Sequence, residues 1–404
     1  MIPFEALLLL GAVPVAGCCL YLAVLTLWSA ESPAPAPATP RLRFDAIVPA
    51  HDEEEGIEAT VRSLLGVDYP RELFRVVVVA DNCTDRTAER AAAAGASVLV
   101  REDKVLRGKG YALALAFESA LQQRRADAVV VVDADTVVTP NLLSSFAARL
   151  ESGALAVQAD YGVRNPESSW RTRLLRIALG AFHVLRSRAR ERLGVSAGLR
   201  GNGMCFSLKL LRDVPHRSVS LVEDVEYGIE LAEAGHRVHY AGEASVLGEM
   251  VSGERASRSQ RDRWERGRSL LRRRAFALLF RALARRDSVL FDVAADLLVP
   301  PLAALSGAAA GGLALSVLLR ACGGSVLPAV IFAASSAAIG LYVLRGWMLS
   351  GSGLRGLADL ACAPFYVLWK VSLSLRRSRG AGQWIRTARE AGPDARTGHP
   401  ETPP

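Results

Sequence analysis

At 404 residues, half of them hydrophobic, the chain is long enough for one large catalytic domain with membrane segments or for two modest domains. The apolar excess gathers at the N-terminus and in the last third, which excludes a uniformly soluble protein and leaves an ordinary α/β-like middle tethered at both ends. The net charge of +8 does not point to nucleic acid, because the arginines crowd beside apolar runs, at Arg261, Arg263, Arg266, Arg268, Arg272, Arg273 and Arg274 and again at Arg376, Arg377 and Arg379, as basic residues do at an anionic cytoplasmic membrane face.

Residues 4–28 carry no charge except Glu5 and have the length needed to cross a bilayer. A cleaved signal peptide would need a basic leading segment, which is missing, so residues 1–31 read as a membrane anchor. Residues 32–43 form a Pro-rich linker, stiff and extended, and Arg41 and Arg43 place this side in the cytoplasm. From 44 onward, β-rich apolar runs alternate with helical segments. Strands are expected at 44–49, 76–80, 96–100 and 128–132, with helices at 57–65, 87–94 and 110–122. Such alternation predicts an α/β fold with a Rossmann-like, mostly parallel sheet over a domain spanning 44–268. Ligands of these sheets bind beyond the carboxyl ends of the strands, and the polar clusters fall there, at His51 to Glu54, at Asp81 and Asn82, and at Asp133 and Asp135.

Residues 269–287 read as an arginine-flanked amphipathic helix lying in the membrane interface. A membrane region at 288–376 follows, with apolar stretches at about 289–319, 326–344 and 357–375. The third contains Asp359 and Lys370, and a cytosolic basic tail requires that one of the three not cross, so two or three spans are expected. The polar tail, 377–404, reads as disordered. The six cysteines (Cys18, Cys19, Cys83, Cys205, Cys322, Cys362) form no CxxC pair and no zinc spacing, and read as small buried hydrophobes in a reducing compartment.

Asp133 and Asp135, directly after four valines, have the spacing to share one divalent cation and its bound diphosphate, since Mg²⁺ and Mn²⁺ prefer oxygen ligands. A solvated turn has the same spacing, and only the strand end distinguishes the two. Asp81, at a strand tip, is placed to accept a hydrogen bond from a nucleobase N–H, while Thr84 or Asp85 caps the next helix. Lys109 between Gly108 and Gly110 puts a cation where phosphates pass, although a solvated turn reads equally well. The longer glycine–lysine–hydroxyl loop of nucleotide triphosphatases is missing, and no GxGxxG follows the first strand, which sets aside a dinucleotide oxidoreductase. Glu223 and Asp224 open a helix, where acidic residues are common for dipole reasons alone. Attraction to a membrane surface explains the arginines around Arg263 but does not require Gln260 or Trp264.

Taken in order, Val48 to Glu54, Val79 to Asp85, Gly108 to Leu113, Asp133 to Asp135, Gly201 to Met204, Glu223 with Asp224 and Gln260 to Trp264 resemble the motifs of family 2 glycosyltransferases. That inverting group includes cellulose, chitin and hyaluronan synthases, and the resemblance covers roughly 44–274. It implies a GT-A type domain with N- and C-terminal transmembrane helices. It also implies that Pro49, Ala50, Asp52 and Glu54 line the nucleoside pocket, with Asp81 on a uracil base and Lys109 near the donor. Asp133 and Asp135 would hold Mg²⁺ or Mn²⁺ with the diphosphate, Asp135 being the surer ligand. Asp224, beside Glu223, would be the general base. Gly201, Asn202, Gly203, Gln260, Arg263 and Trp264 would shape the acceptor and diphosphate side, Trp264 stacking on an acceptor sugar or anchoring in the headgroup belt. Two departures stand out: Asp52 replaces a frequent Asn, and Gly201-Asn202-Gly203 differs from the cellulose-synthase form.

The implied protein is integral to a bacterial inner or plasma membrane, with a cytosolic catalytic domain and a UDP-linked sugar donor. Its implied acceptor is a saccharide or a lipid, its other partners are membrane lipids and an export subunit, and nucleic acid is not among them. A single-sugar enzyme similar to ceramide glucosyltransferases, and a sugar-nucleotide sensor without turnover, are the competing readings.

Overall fold

The computed structural model describes residues 2–36, 39–220, 222–250 and 254–361, with side chains outside 2–4, 254–266 and 268–270. The eight strands are β1 (Phe44–Ala50), β2 (Phe74–Asp81), β3 (Ser97–Arg101), β4 (Ala128–Val131), β5 (Thr136–Val138), β6 (Ala156–Val163), β7 (Met204–Ser207) and β8 (Val238–Gly248). They form one sheet in the order β3-β2-β1-β4-β7-β6-β8-β5. The first four run parallel, as their Val-rich runs predict.

The second half carries the reversed strands. β7 is antiparallel to β4 and to β6, and β5 is antiparallel to β8, while β6 and β8 are parallel. The sheet is therefore mixed, with six strands running one way, as a mostly parallel sheet predicts, and β5 and the four-residue β7 running against them.

Alternation along β1 shows how the two faces are built, since successive side chains point to opposite sides. Ala46 and Val48 join one core with Val61 and Leu64 of the helix Ile57–Leu65 and Phe146 of the helix Leu142–Glu151. Ile47 joins the other, with Leu113 and Phe117 of the helix Lys109–Gln123 and with Phe206.

Among the described residues, three helices are long and apolar enough to cross a membrane: Glu5–Leu27, Leu302–Ala321 and Leu327–Ser350. The stretch expected at 289–319 is two helices, Ser288–Leu298 and Leu302–Ala321. Pro300 and Pro301 separate them, since a residue before proline is forced out of helical geometry, and Val299 is extended at φ −64°, ψ 117°. The beginning of the stretch expected at 357–375 belongs to a short helix, Gly353–Ala361, held to the α/β domain by Asp359, which accepts from Arg173 at 2.6 and 3.1 Å. The rest of that stretch, Lys370, Cys362 and the tail from 377 lie outside the described residues.

The apolar helices are joined to the soluble domain by close packing and by a buried ionic cluster. A Cβ on Gly180 would lie 2.6 Å from the Gly346 carbonyl oxygen, so a glycine there lets Leu327–Ser350 press against the π-helical turn Gly180–Leu185. One turn on, Arg186 reaches Asp296 at 2.6 Å and donates to the Tyr342 hydroxyl at 2.8 Å. Arg190, only 2% exposed, pairs with Asp296 at 2.7 Å and Asp292 at 3.0 Å and donates to the Tyr21 hydroxyl at 2.6 Å. Tyr21 in turn donates to Asp292 at 2.9 Å. Two guanidiniums thus meet two carboxylates at the junction of the anchor, the last long helix and the soluble domain.

The helix expected at 269–287 is part of a single 32-residue helix, Glu254–Arg285. Leu271, Ala275, Leu278 and Ala282 bury against Ile229, Leu290 and Ala294, while Phe276, Phe280 and Leu283 are left exposed. Breaking a buried ion pair by removing one partner costs about 3–5 kcal/mol. Asp296→Ala, which strips a carboxylate from both Arg186 and Arg190, should therefore lower the apparent unfolding temperature of the detergent-solubilised protein by several degrees. An unchanged melting curve would show that the cluster does not hold the modules together.

Candidate active site

The site is assembled from strand ends. Pro49 and Ala50 finish β1, and the chain then turns through Asp52 in the left-handed region at φ 54°, a conformation that a short polar side chain tolerates. The Asp52 carboxylate accepts from the Thr84 amide at 2.6 Å and so ties the loop after β1 to the loop after β2. Glu54 faces Arg86 at 3.4 Å. Asp85 accepts from the amides of Thr87 at 2.9 Å and Glu54 at 3.1 Å, the helix-capping role its position suggested.

Asp81 is buried at the tip of β2. Its Oδ1 accepts from Arg101 at 2.7 Å and from the Asn82 side chain at 2.9 Å, and its carbonyl meets His51 Nδ1 at 2.6 Å. Sequence reasoning missed Arg101. It reaches Asp81 because the parallel register of β2 and β3 sets the two opposite each other. Pro49, Ala50, Asp52, Glu54 and Asp81 thus share the rim formed by the ends of β1 and β2.

A second cluster gathers beside β4. Lys109, in the first turn of the helix Lys109–Gln123, donates to the Asp133 carboxylate and, at 2.6 Å, to the Gly201 carbonyl, and its ammonium stands 4.0 Å from Glu223. Gly201, in the left-handed region at φ +78°, brings Asp224 alongside: a Cβ there would lie 3.5 Å from Asp224 Oδ2 and 3.8 Å from Lys109 Nζ. Burial opposes the charge on Lys109, but Asp133 and Glu223 outweigh it and hold the ammonium's pKa above its ordinary value. Burial pushes both Glu223 and Asp224 upward, against the pull of Lys109.

Asn202 is fully buried. Its Oδ1 accepts from the Asp133 amide at 3.1 Å, its Nδ2 donates to Thr136 Oγ1 at 2.8 Å, and Gln158 Nε2 donates to its carbonyl at 2.7 Å. The Gly201-Asn202-Gly203 turn is therefore stitched beneath the Asp133–Asp135 segment, and the Asn202 side chain faces that segment rather than an opening. Asp135 follows in the same turn, where the Thr136 hydroxyl donates to it at 3.3 Å.

Gln260, Arg263 and Trp264 lie on the helix Glu254–Arg285, but their side chains fall outside the described residues. Further along that helix, Gly267 packs so tightly on Val222 that a Cβ would overlap it, which brings the helix over the start of Glu223–Glu233. A second residue missed from sequence is Tyr161 on β6. Its hydroxyl lies 3.1 Å from where a Cβ on Gly248 would stand, beside Thr136 of β5, and burial with the charges of Asp133, Asp135 and Asp224 raises the phenol's pKa. No motif signals it, because it belongs to a strand the sequence reading did not place.

Asp133 and Asp135, one residue apart in the turn after β4, offer the carboxylate oxygens that a hard divalent cation prefers. Among the described residues, Asp52, Cys83 and Asp85 also bring their ligand atoms within 4.8 Å of one another. That group is a poorer fit, since Asp52 and Asp85 already accept backbone amides and burial raises the Cys83 thiol's pKa, disfavouring the thiolate that binds metal.

The sheet is thus covered on both faces, with acidic loops at its strand ends and a carboxylate cluster centred on Lys109. Residues 40–267 match the family described as Glycosyltransferase like family 2, and the chain belongs to that family. It is 23% identical over 262 residues to the probable glycosyltransferase YdaM of Bacillus subtilis, covering 62% of this chain and 60% of that protein. It is 29% identical over 231 residues to a beta-monoglucosyldiacylglycerol synthase of Synechocystis, covering 55% of this chain and 47% of that one. The chain thus spans less than two thirds of either relative's length. The fold is that of the mannosyltransferase PcManGT from Pyrobaculum calidifontis, solved with GDP-Man and Mn²⁺, with a TM-score of 0.54, 21% identity and coverage of 88% of this chain and 99% of that one.

Leaving a buried polar group without its partner costs about 1–3 kcal/mol. Asn202→Ala, which abandons the Asp133 amide and the Thr136 hydroxyl, should lower stability by that amount in a denaturant titration. An Ala variant as stable as wild type would mean that Asn202 does not hold the Asp133–Asp135 turn.

Proposed function

We propose that the protein moves a sugar from a nucleoside diphosphate donor, a UDP-sugar, to a hydroxyl of a growing polysaccharide or other membrane-associated acceptor. The transfer proceeds with inversion, so an α-linked donor gives a β-glycoside. The observation that carries this reading is the convergence of Asp133, Glu223, Asp224 and the Gly201 carbonyl on Lys109 at the carboxyl ends of the strands. The Asp133–Asp135 turn, proposed to bind the diphosphate, and the proposed base thereby stand within one small volume.

Asp81, with Oδ1 already engaged, offers Oδ2 to a nucleobase N–H, on the rim formed with Pro49, Ala50, Asp52 and Glu54. Asp135 and Asp133 would hold Mg²⁺ or Mn²⁺, which supplies neutralising charge for the departing diphosphate. Lys109 adds a fixed positive charge on the same side. Asp224 accepts the proton of the attacking hydroxyl, on the face of the sugar away from the diphosphate, and Glu223 shares its field. Gln260, Arg263 and Trp264 are assigned to the acceptor and diphosphate side. The three apolar helices anchor the domain in a bacterial inner membrane with its site in the cytosol, as Arg41 and Arg43 at the end of the linker favour.

A second reading, single-sugar transfer to a membrane lipid, is favoured by the C-terminal region. Among the described residues it supplies two helices long enough to span, few to enclose a path for a polymer. The size of the product separates the two.

Release of UDP from a UDP-sugar should require Mg²⁺ or Mn²⁺ and stop with EDTA. Asp224→Asn should keep donor binding and slow turnover by about 10²–10⁴-fold, the usual worth of a general base. A base must be deprotonated, and burial raises the carboxyl pKa values here, so activity should fall with decreasing pH at a point above the ordinary carboxylate range. Lys109→Met removes the cation that opposes this rise and should move the acid limb to still higher pH. Wild-type turnover by Asp224→Asn would exclude it as the base.

A further inference from the structure

Tyr161 enters the site by construction rather than by chance. It lies on β6 where that strand pairs with the end of β8, Tyr161 opposite Val246 and Val163 opposite Gly248. The missing side chain at Gly248 makes room for the ring: a Cβ there would stand 3.0 Å from Tyr161 Cε2 and 3.1 Å from its hydroxyl oxygen, closer than neighbouring atoms pack. On its other side the ring stacks on His183, with centroids 5.2 Å apart and planes inclined by 22°. His183 is itself fixed, since its Nδ1 lies 3.0 Å from the Tyr161 carbonyl oxygen and it belongs to the π-helical turn Gly180–Leu185. The ring is thus clamped between a strand glycine and an imidazole.

Gly248, against which the hydroxyl lies, pairs with Thr136, and the next amide, that of Glu249, donates to the Asp135 carbonyl at 3.3 Å, so the phenol stands beside the Asp133–Asp135 turn. Burial first, and then the charges of Asp133, Asp135 and Asp224, hold the phenol's pKa well above its ordinary value, so it stays protonated. The glycosyltransfer reading, on which this inference rests, puts the diphosphate at Asp133 and Asp135 and the proton acceptor at Asp224. The sugar ring being transferred then lies between them. A phenol carries one donor and two acceptor positions. The O–H is what Tyr161 brings to a neighbouring sugar hydroxyl.

We propose that Tyr161 reads the transferred sugar, its hydroxyl hydrogen-bonding a ring hydroxyl of the donor hexose while Gly248 and His183 hold its ring in place. Tyr161 is therefore a specificity residue for the sugar and not for the nucleotide. Nothing in this role draws on the nucleoside rim at Asp52 and Asp81.

The test compares two affinities in the same protein. Binding of UDP alone, and of UDP-glucose, UDP-galactose and UDP-N-acetylglucosamine, is measured calorimetrically on the full chain in detergent with Mn²⁺. Tyr161→Phe keeps the ring and its stacking and removes only the hydroxyl. It should leave UDP affinity at the wild-type value while weakening the preferred UDP-sugar by about 3- to 10-fold, the worth of one hydrogen bond. Gly248→Ala, which displaces the ring without altering its chemistry, should shift the same ratio in the same direction. Equal weakening of UDP and UDP-sugar would assign Tyr161 a purely structural part and overturn the proposal, as would a ratio unchanged in Tyr161→Phe. A wild-type protein that binds none of these nucleotides would instead defeat the glycosyltransfer reading itself, and this inference with it.

Discussion

Carboxylates do not collect at one place without a cation to hold them. Asp133 comes from one part of the chain and the adjacent Glu223 and Asp224 from another, yet all face the Lys109 ammonium, which also donates to the Gly201 carbonyl. In a site shielded from water their mutual repulsion would be large, and the lysine is the fixed charge that offsets it. The surrounding architecture serves this meeting. The parallel strands deliver Asp133 and the helix bearing Lys109, the reversed β7 returns the Gly201-Asn202-Gly203 turn to the same edge, and Asn202 locks that turn to the Asp133 backbone. Two left-handed glycines, Gly201 and Gly203, give the turn its path, and a Cβ on Gly203 would meet Val246 at 2.7 Å.

From this cluster a continuous set of contacts leads to the apolar helices. The helix that opens with Glu223 and Asp224 buries Ile229 against Leu271, Ala275 and Leu290, so the candidate base rides on the same packing that seats the long helix Glu254–Arg285. A few residues away, Arg186 and Arg190 join Asp292 and Asp296 to the hydroxyls of Tyr21 and Tyr342. A neutral cluster of two arginines and two aspartates is tolerable only when all of its members are satisfied. This one fixes the soluble domain against both terminal apolar modules. Within such a frame an acceptor held at the membrane would meet a base whose position does not depend on a flexible tether.

Much of the nucleotide-binding half was legible in the sequence. Val76 to Val79 and Val129 to Val132 read as buried strands, and the acidic residues at their ends fall at the sheet's carboxyl edge. The second half was not, for a physical reason. β5 and β7 span three and four residues, too short to establish a period, and β7 carries Met and Cys rather than a β-branched run. With them went Tyr161, whose strand had no recognised partner. Arg101 was hidden because its meeting with Asp81 depends on strand register, which residue spacing does not encode. The stretch at 289–319 was taken whole, although Pro300, Pro301, Asp292 and Asp296 all argue against one spanning helix. Hydropathy averaged over the stretch outweighed them, whereas in the fold the two aspartates meet arginines that lie over a hundred residues away. The family motifs on the helix Glu254–Arg285 were readable as a set, while the side chains of Gln260, Arg263 and Trp264 lie outside the described residues.

The central claim is that the Asp133–Asp135 turn holds a divalent cation together with the donor's diphosphate. Uptake of Mn²⁺, followed by the loss of the free ion's paramagnetic resonance signal as UDP is titrated, addresses it without any acceptor or turnover. The account predicts UDP-dependent capture of Mn²⁺ by the wild-type protein and its loss in Asp135→Ala, with the variant's thermal stability intact. Capture undiminished in that variant would place the metal and the diphosphate elsewhere and contradict the account.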